Sequence, residues 1–281
     1  YMDEKHTTLA TIDEQSKAKA DLEFTDETGV THRLWIETDE EIIAKLVADF
    51  ADRKLYIADG HHRYETALNY RNYCRENGIS KPGDPQAFQM IYLVDMEHPG
   101  LVVFPTHRLV RDLPNFDKEA VLEKCSEFFY IDEKEGTDTM EEDLKKLYDE
   151  GKKAFGFYCG KGEWFLLTLK NIDFMSQMLP NVSKASQSLD VSVLHTLILE
   201  KIFGIDKENM AKQINLTYTK FFTEAIDGVD KGEFQCSFVL NPTRVTEIRD
   251  VAAAGEKMPQ KSTYFYPKMI TGMVMNNLGV D

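Results

Sequence analysis

The 281-residue chain is short of cysteine, of positive charge and of long apolar runs, and each shortage removes a class of protein. Its four cysteines, Cys74, Cys125, Cys159 and Cys236, are widely spaced and form no CxxC pair. In a chain of this length they read as reduced thiols, not as a disulfide framework or a zinc knuckle. Lys and Arg number 33 against 48 Asp and Glu, for a formal net charge of −15. An acidic surface repels nucleic-acid phosphates and lacks the basic stripe that nonspecific DNA affinity needs, so no nucleic-acid partner is expected. A local basic pocket for a small anion stays compatible with that balance. No apolar run approaches the ~20 residues that span a bilayer, and no secretory signal opens the chain, so no membrane partner is expected and the location is read as cytoplasmic. Internal repeats and low-complexity linkers are also missing. What remains, with 42% hydrophobic residues, supports one large domain or two modest ones. The chain opens on Tyr1-Met2-Asp3-Glu4 without an initiating methionine and reads as a piece whose N-terminal part is missing.

Hydrophobic patterning gives an alternation of short strands and helices. Residues 22–25 and 30–37 read as a hairpin turned at Glu27-Thr28-Gly29. Thr38 to Glu41 reads as a capping box with Thr38 as N-cap, opening a helix with Ile42, Ile43, Leu46, Val47 and Phe50 on one face. Residues 54–58 form a short apolar strand broken by Asp59-Gly60, and a helix follows over 61–77, stopped by Gly78. Strands are expected at 88–94 and 101–104, and amphipathic helices at 117–129 and 139–148. A second hairpin spans 154–158 and 164–169, and a long apolar helix, capped by Ser188, spans 188–203. Strands at 214–219 and 236–240 and a helix at 243–254 come next, then an irregular tail over 256–268. This mixture predicts an α+β fold, a mixed sheet with helices, instead of a doubly wound parallel sheet. The acidic stretch 132–138 is the candidate boundary between lobes at 1–131 and 139–281.

The chemistry concentrates at Asp59-Gly60-His61-His62-Arg63, where strand turns into helix. Gly60 lets the backbone turn sharply and approach a ligand closely. The first helical amides have no intrahelical acceptor and point outward with the positive end of the helix dipole. His62 and Arg63 add side-chain donors, and Asp59 is placed to cap the helix or hold a histidine ring. The competing account is a capped helix with a solvated first turn. Against it, charged basic residues there oppose the dipole at a cost of roughly 0.3–1 kcal/mol each. Adjacent residues point about 100° apart on a helix, so His61 and His62 do not readily ligate one ion together, and no metal site is expected.

The run from Ala58 to Ala67, ADGHHRYETA, resembles the signature of the family called domain of unknown function 1015. The resemblance extends through Phe104-Pro105-Thr106-His107-Arg108-Leu109-Val110 and through Gly255 to Lys268, GEKMPQKSTYFYPK. The Asp-Gly-His-His-Arg run is also similar to the phosphate-binding motif of the ParB and sulfiredoxin-like fold, especially in free serine kinases. There an Asp-Gly-His-x-Arg segment holds nucleotide phosphates and a glutamate from an earlier motif acts as base. The resemblance implies a partial ParB/sulfiredoxin-like lobe in which Gly60, His61, His62 and Arg63 hold phosphate. Asp59 would orient a histidine or the substrate, and Asp59 and His62 would be the catalytic pair. It also implies that the earlier glutamate belongs to a region before Tyr1. A chain without that region is expected to bind phosphate weakly and to turn it over poorly.

His107 and Arg108 end a strand, where sites often form; one or the other, with at least one of Lys261, Ser262 and Lys268, is expected to line the same cleft as His62, and all five are candidate ligand-binding residues. The segment 255–262 is not a P-loop. Gln260 stands where glycine is needed before Lys261-Ser262, Pro259 stiffens the loop, and an aromatic run follows instead of a helix. His195, amid Leu194, Leu197, Ile198 and Leu199, reads as a core or rim histidine. The expected function is a phosphate-handling enzyme, a nucleotide-dependent kinase of small molecules, with a phosphate-ester hydrolase and a non-catalytic nucleotide-binding switch as alternatives. Its cofactor would be a nucleotide triphosphate or diphosphate, with magnesium as phosphate counter-ion. Its partner would be a small phosphorylated or hydroxyl-bearing metabolite.

Overall fold

The computed structural model describes residues 1–270 and 272–276. Contacts divide the chain into two compact units, Tyr1–Val102 with the segment from Pro267 on, and Val103–Tyr266. The acidic stretch read as a lobe boundary is instead largely strand β5 (Phe129–Glu135), inside the second unit. Its charged residues sit on an exposed sheet edge, where acidity marks solvent contact and not a linker.

The first unit holds α1 (Thr7–Gln15), the hairpin β1 (Leu22–Thr25) and β2 (Thr31–Leu34), α2 (Glu40–Phe50), α3 (His61–Glu76) and a 3₁₀ turn at Pro85–Ala87. The N-cap of α2 is Asp39, not Thr38; its carboxylate accepts from the Glu41 and Ile42 amides at 2.9 and 3.1 Å. Polar contacts hold α1 and α2 together. Thr7 and Thr8 hydroxyls donate to Asp49, Lys45 donates to Thr11, and Arg53 pairs with the buried Asp3 at 3.1 Å. Residues 54–58 and 88–94, both read as strands, have no ladder partner among the described residues. Their apolar side chains stay exposed, Phe88 to 66%. Sequence pattern supplies β-propensity, but a strand needs a neighbour to pair with.

The second unit is built on a six-stranded sheet. Its strands, after β3 (Val102–Phe104), are β4 (His107–Val110), β5, β6 (Ala154–Gly160), β7 (Glu163–Leu169), β8 (Leu216–Thr219) and β9 (Cys236–Val239), in the order β5-β7-β6-β9-β4-β8. All five pairings are antiparallel, so the mixture in this α+β chain is of helices and sheet. The tail read as irregular contains β10 (Tyr264–Tyr266), paired with β3.

Strand alternation sorts the sheet's side chains into two cores. One face carries Val110, Phe155, Phe157, Phe165, Leu167 and Phe238. It packs on α4 (Lys118–Cys125), α6 (Asp173–Met178) and the helical stretch 190–200, reached through α7 (Lys184–Gln187). The other face carries Ala154, Tyr158, Trp164, Leu166 and Val239 against α5 (Met140–Asp149) and α10 (Phe222–Asp230). Connecting α9 (Lys207–Lys212) and α11 (Val245–Ala253) complete the unit. The long helix expected over 188–203 is a single α turn, α8 (Asp190–Val193), leading into π-helix at Leu194–Glu200; Leu189, not Ser188, is its N-cap.

One buried charge cluster bears on stability. Lys153 Nζ lies 2.9 Å from Asp190 Oδ1 and 3.4 Å from Glu247 Oε1. Burial pushes Asp190 up to about 6, with the attraction of Lys153 acting against it. The folded state therefore keeps a proton that the unfolded chain releases near its ordinary 3.8. Stability from this group is fully present below about pH 4 and is lost as pH rises through about 6, by on the order of 2–3 kcal/mol. Chemical denaturation at pH 4, 5, 6 and 7 should show Asp190→Asn lacking this loss relative to the unsubstituted protein.

Candidate phosphate site

In α3 the sequence turns from Asp59 into helix through Gly60, the N-cap, at φ 84°. That left-handed conformation favours glycine. The Tyr64 amide closes the first helical turn on the Gly60 carbonyl at 3.0 Å, which leaves the amides of His61, His62 and Arg63 ahead of any intrahelical acceptor. Arg63 folds back over the turn: a Cβ built on Gly60 would lie 2.7 Å from its Nη2 and 2.8 Å from its Nε. Glycine thus serves twice here, for the backbone angle and for room beneath the guanidinium.

Asp59 neither caps α3 with its side chain nor bonds a histidine among the described residues. Its Oδ1 accepts the Gly60 amide at 2.8 Å and its Oδ2 accepts Lys268 Nζ at 3.0 Å, with Arg63 Nη2 at 3.8 Å. Partial burial alone would raise its pKa; the Lys268 bond and charge, the Gly60 amide and Arg63 outweigh burial and hold the carboxyl below its usual range. Asp59 is therefore ionised at neutral pH. A solvent-accessible pair like Asp59–Lys268 contributes about 0–1 kcal/mol, so its effect is placement and charge balance more than stability.

The turn opens on a pocket of about 610 Å³ lined by His62, Arg63 and Tyr70 of α3 together with Gln86, Phe88 and Met90. That volume lies in the range of small-molecule sites, roughly 300–1,000 Å³. Gln86 Oε1 is buried there without a hydrogen-bond donor. The pocket combines cationic and amide donors, one orphaned acceptor and two aromatic rings. Among the described residues no carboxylate lines the pocket, and Asp59, at the turn, is held by Lys268. Such a donor set suits an anion, and a magnesium ion only as the partner of that anion's phosphates. Among the described residues no cluster of three or more His, Cys, Asp or Glu could hold a metal ion.

The site residues read from sequence divide between the two units. Asp59, Gly60, His61, His62, Arg63 and Lys268 belong to the first, and His107, Arg108, Lys261 and Ser262 to the second. In the second unit Arg108 Nη2 donates to the Lys261 carbonyl at 3.1 Å, and Ser262 Oγ donates to the Pro259 carbonyl at 2.7 Å. Lys261 thus meets Arg108 through its backbone, at a φ of 54°. His107 is buried, and its Nδ1 accepts the Leu240 amide at 3.4 Å. Sequence reading missed Tyr70, Gln86 and Phe88, because nothing local announces which residues will face α3. Among the described residues no helix is long and apolar enough to cross a membrane.

The model of a family described as "Protein of unknown function (DUF1015)" matches residues 1–192. The chain belongs to the DUF1015 family. The matched span of this DUF1015 chain contains the turn at Asp59–Arg63 and the strand bearing His107 and Arg108, and it ends before 255–268. No curated protein matches the sequence. Similar solved structures include a conserved hypothetical protein from Pyrococcus furiosus, at 19% identity and TM-score 0.38, covering 74% of this chain and 68% of that one. Free serine kinase in complex with AMP is similar at 14% identity and TM-score 0.40, covering 82% and 81%. A mutant of free serine kinase in complex with ADP is similar at 14% identity and TM-score 0.39, covering 74% and 66%.

Proposed function

We propose that this DUF1015 chain handles phosphate, holding a nucleotide's phosphates at the start of α3 and taking part in phosphoryl transfer to a small hydroxyl-bearing molecule. One observation carries the reading: unpaired amides and the Arg63 guanidinium gather over Gly60 at the mouth of a pocket that also offers Tyr70 and Phe88. The motif's similarity to the phosphate-binding run of the ParB and sulfiredoxin-like fold supports the same use, and the first unit is then a partial lobe of that kind. The His61–Arg63 amides and Arg63 itself would take the phosphoryl oxygens, and His62, lining the pocket, would handle the proton. Asp59, ionised and held by Lys268, would orient the acceptor hydroxyl. The aromatic rings would receive a base by stacking, and magnesium would enter with the phosphates.

The test is a thermal-shift and calorimetric panel of nucleotides, phosphorylated metabolites and inorganic phosphate on the protein and on Arg63→Ala. A nucleotide that stabilises the protein in a saturable way, with the effect reduced tenfold or more in affinity in Arg63→Ala, is the expected result. No stabilisation by any phosphate compound would overturn it. Binding without turnover would assign a nucleotide-binding switch, and hydrolysis of an aryl phosphate without nucleotide would assign a phosphate-ester hydrolase.

A further inference from the structure

The second unit contains a buried cation that the phosphate reading does not use. Arg108 is 0% exposed, in the middle of β4, facing Tyr218 of β8 and Phe238 of β9 across the ladder. Its guanidinium donates to the Thr106 carbonyl, to His195 Nε2 at 3.1 Å and to the Lys261 carbonyl at 3.1 Å. Among the described residues no carboxylate pairs with it, and the Tyr218 ring lies 5.4 Å from it by centroid. Burial pushes Arg108 down to about 10, which leaves it charged at neutral pH. A buried charge without an opposite charge is among the least favourable arrangements in a folded chain.

Two unsatisfied donor atoms belong to this cluster. Arg108 Nε and Thr106 Oγ1 are both buried without a hydrogen-bond partner. Arg108 is on the face of β4 that packs on the 190–200 helix, and the Thr106 carbonyl accepts from its guanidinium. His107, between them, points to the other face and takes no part. His195 comes from the π-helical stretch, a geometry found often at functional sites. Burial, then the Arg108 charge, holds its imidazole well below the usual range. It is neutral and accepts from Arg108 through Nε2, which puts its proton on Nδ1. His195 is only partly buried, so the cluster has an exposed rim.

We propose that Thr106, Arg108 and His195 form a binding site in the second unit for a small organic carboxylate, distinct from the phosphate turn of α3. The carboxylate would accept from two unused donors, Arg108 Nε–H and Thr106 Oγ–H, and supply the missing opposite charge. A planar carboxylate suits this better than a tetrahedral phosphate, because both Nη2 hydrogens and one on Nη1 already have acceptors, and the donors left are too few for four oxygens. Tyr218 and Phe238, in register on either side of Arg108, would pack against the ligand's apolar part.

The experiment titrates acetate, propionate and benzoate, with phosphate and chloride as controls at matched ionic strength, and follows thermal unfolding and calorimetric binding. The expected result is saturable stabilisation by carboxylates, strongest for benzoate. Arg108→Met should abolish it while remaining at least as stable without ligand, since the uncompensated charge is gone. Thr106→Val, a milder change, should weaken binding by on the order of tenfold. Arg63→Ala should leave carboxylate binding unchanged, which separates this site from the phosphate turn. The proposal is overturned if no carboxylate binds, if Arg108→Met or Thr106→Val binds carboxylate as the unsubstituted protein does, if Arg63→Ala abolishes the effect, or if phosphate matches benzoate on Arg63→Ala, where the phosphate turn is impaired.

Discussion

Arg63→Ala is expected to lower nucleotide-dependent phosphoryl transfer by about 10²–10³-fold, the usual effect of removing one preorganised donor from an oxyanion. The guanidinium lies over Gly60, next to the unpaired amides of the first α3 turn, so its loss removes the strongest positive charge at the site and leaves the amides intact. Arg63→Lys should recover part of the loss, since an ammonium restores charge but not the two-pronged geometry. His62→Ala should cost about 10²–10⁴-fold where the imidazole moves the proton. Asp59→Asn should fall less far: an amide oxygen can still accept from Gly60, while the Lys268 pairing loses its charge. Nucleotide consumption with a panel of hydroxyl-bearing acceptors, on variants with unchanged circular dichroism, measures these effects. Equal activity in all the variants would place the chemistry at another turn.

Trp164→Ala is expected to destabilise the second unit by about 3–5 kcal/mol, a large share of a typical domain's total stability. Trp164 is 0% exposed on β7 and packs in the core beneath α5 and α10. Its indole N–H donates to the Gly136 carbonyl at 2.8 Å. Truncation opens a cavity and also strips a buried carbonyl of its donor. Trp164→Phe keeps much of the packing but still loses the donor, so it should fall between the two. Urea denaturation followed by circular dichroism checks the order; a loss under 1 kcal/mol for Trp164→Ala would mean that the two helices do not rest on this residue.

The local features of this chain were legible before its structure. The hairpin of β6 and β7, the Asp59-Gly60 entry into α3 and the left-handed glycines after helices, Gly78, Gly204 and Gly255, all follow from short-range chemistry. What sequence could not show depends on distant partners. Residues 54–58 and 88–94 have strand-like composition, and only the absence of a described neighbour keeps them out of a ladder. Helix α1 is rich in threonine and has no apolar stripe, because polar bonds to α2 hold it. The Asp59–Lys268 pair joins residues 209 apart, and Arg108 meets a histidine 87 residues away. His195 sits among leucines and looked like core; its partner, not its neighbours in sequence, gives it a role.

The π-helical stretch at Leu194–Glu200 makes helix register a heritable constraint. Its amides reach back five residues instead of four, as Lys201 to Thr196 and Phe203 to Ile198 do. Reverting to an ordinary α register with every residue kept would rotate everything downstream by about 100°. Such a helix could keep His195 beside Arg108, or Ile198 and Leu199 in the core, but not both. A lineage that keeps this pair can exchange one apolar side chain for another here freely, while a change of helix register is the one it cannot absorb.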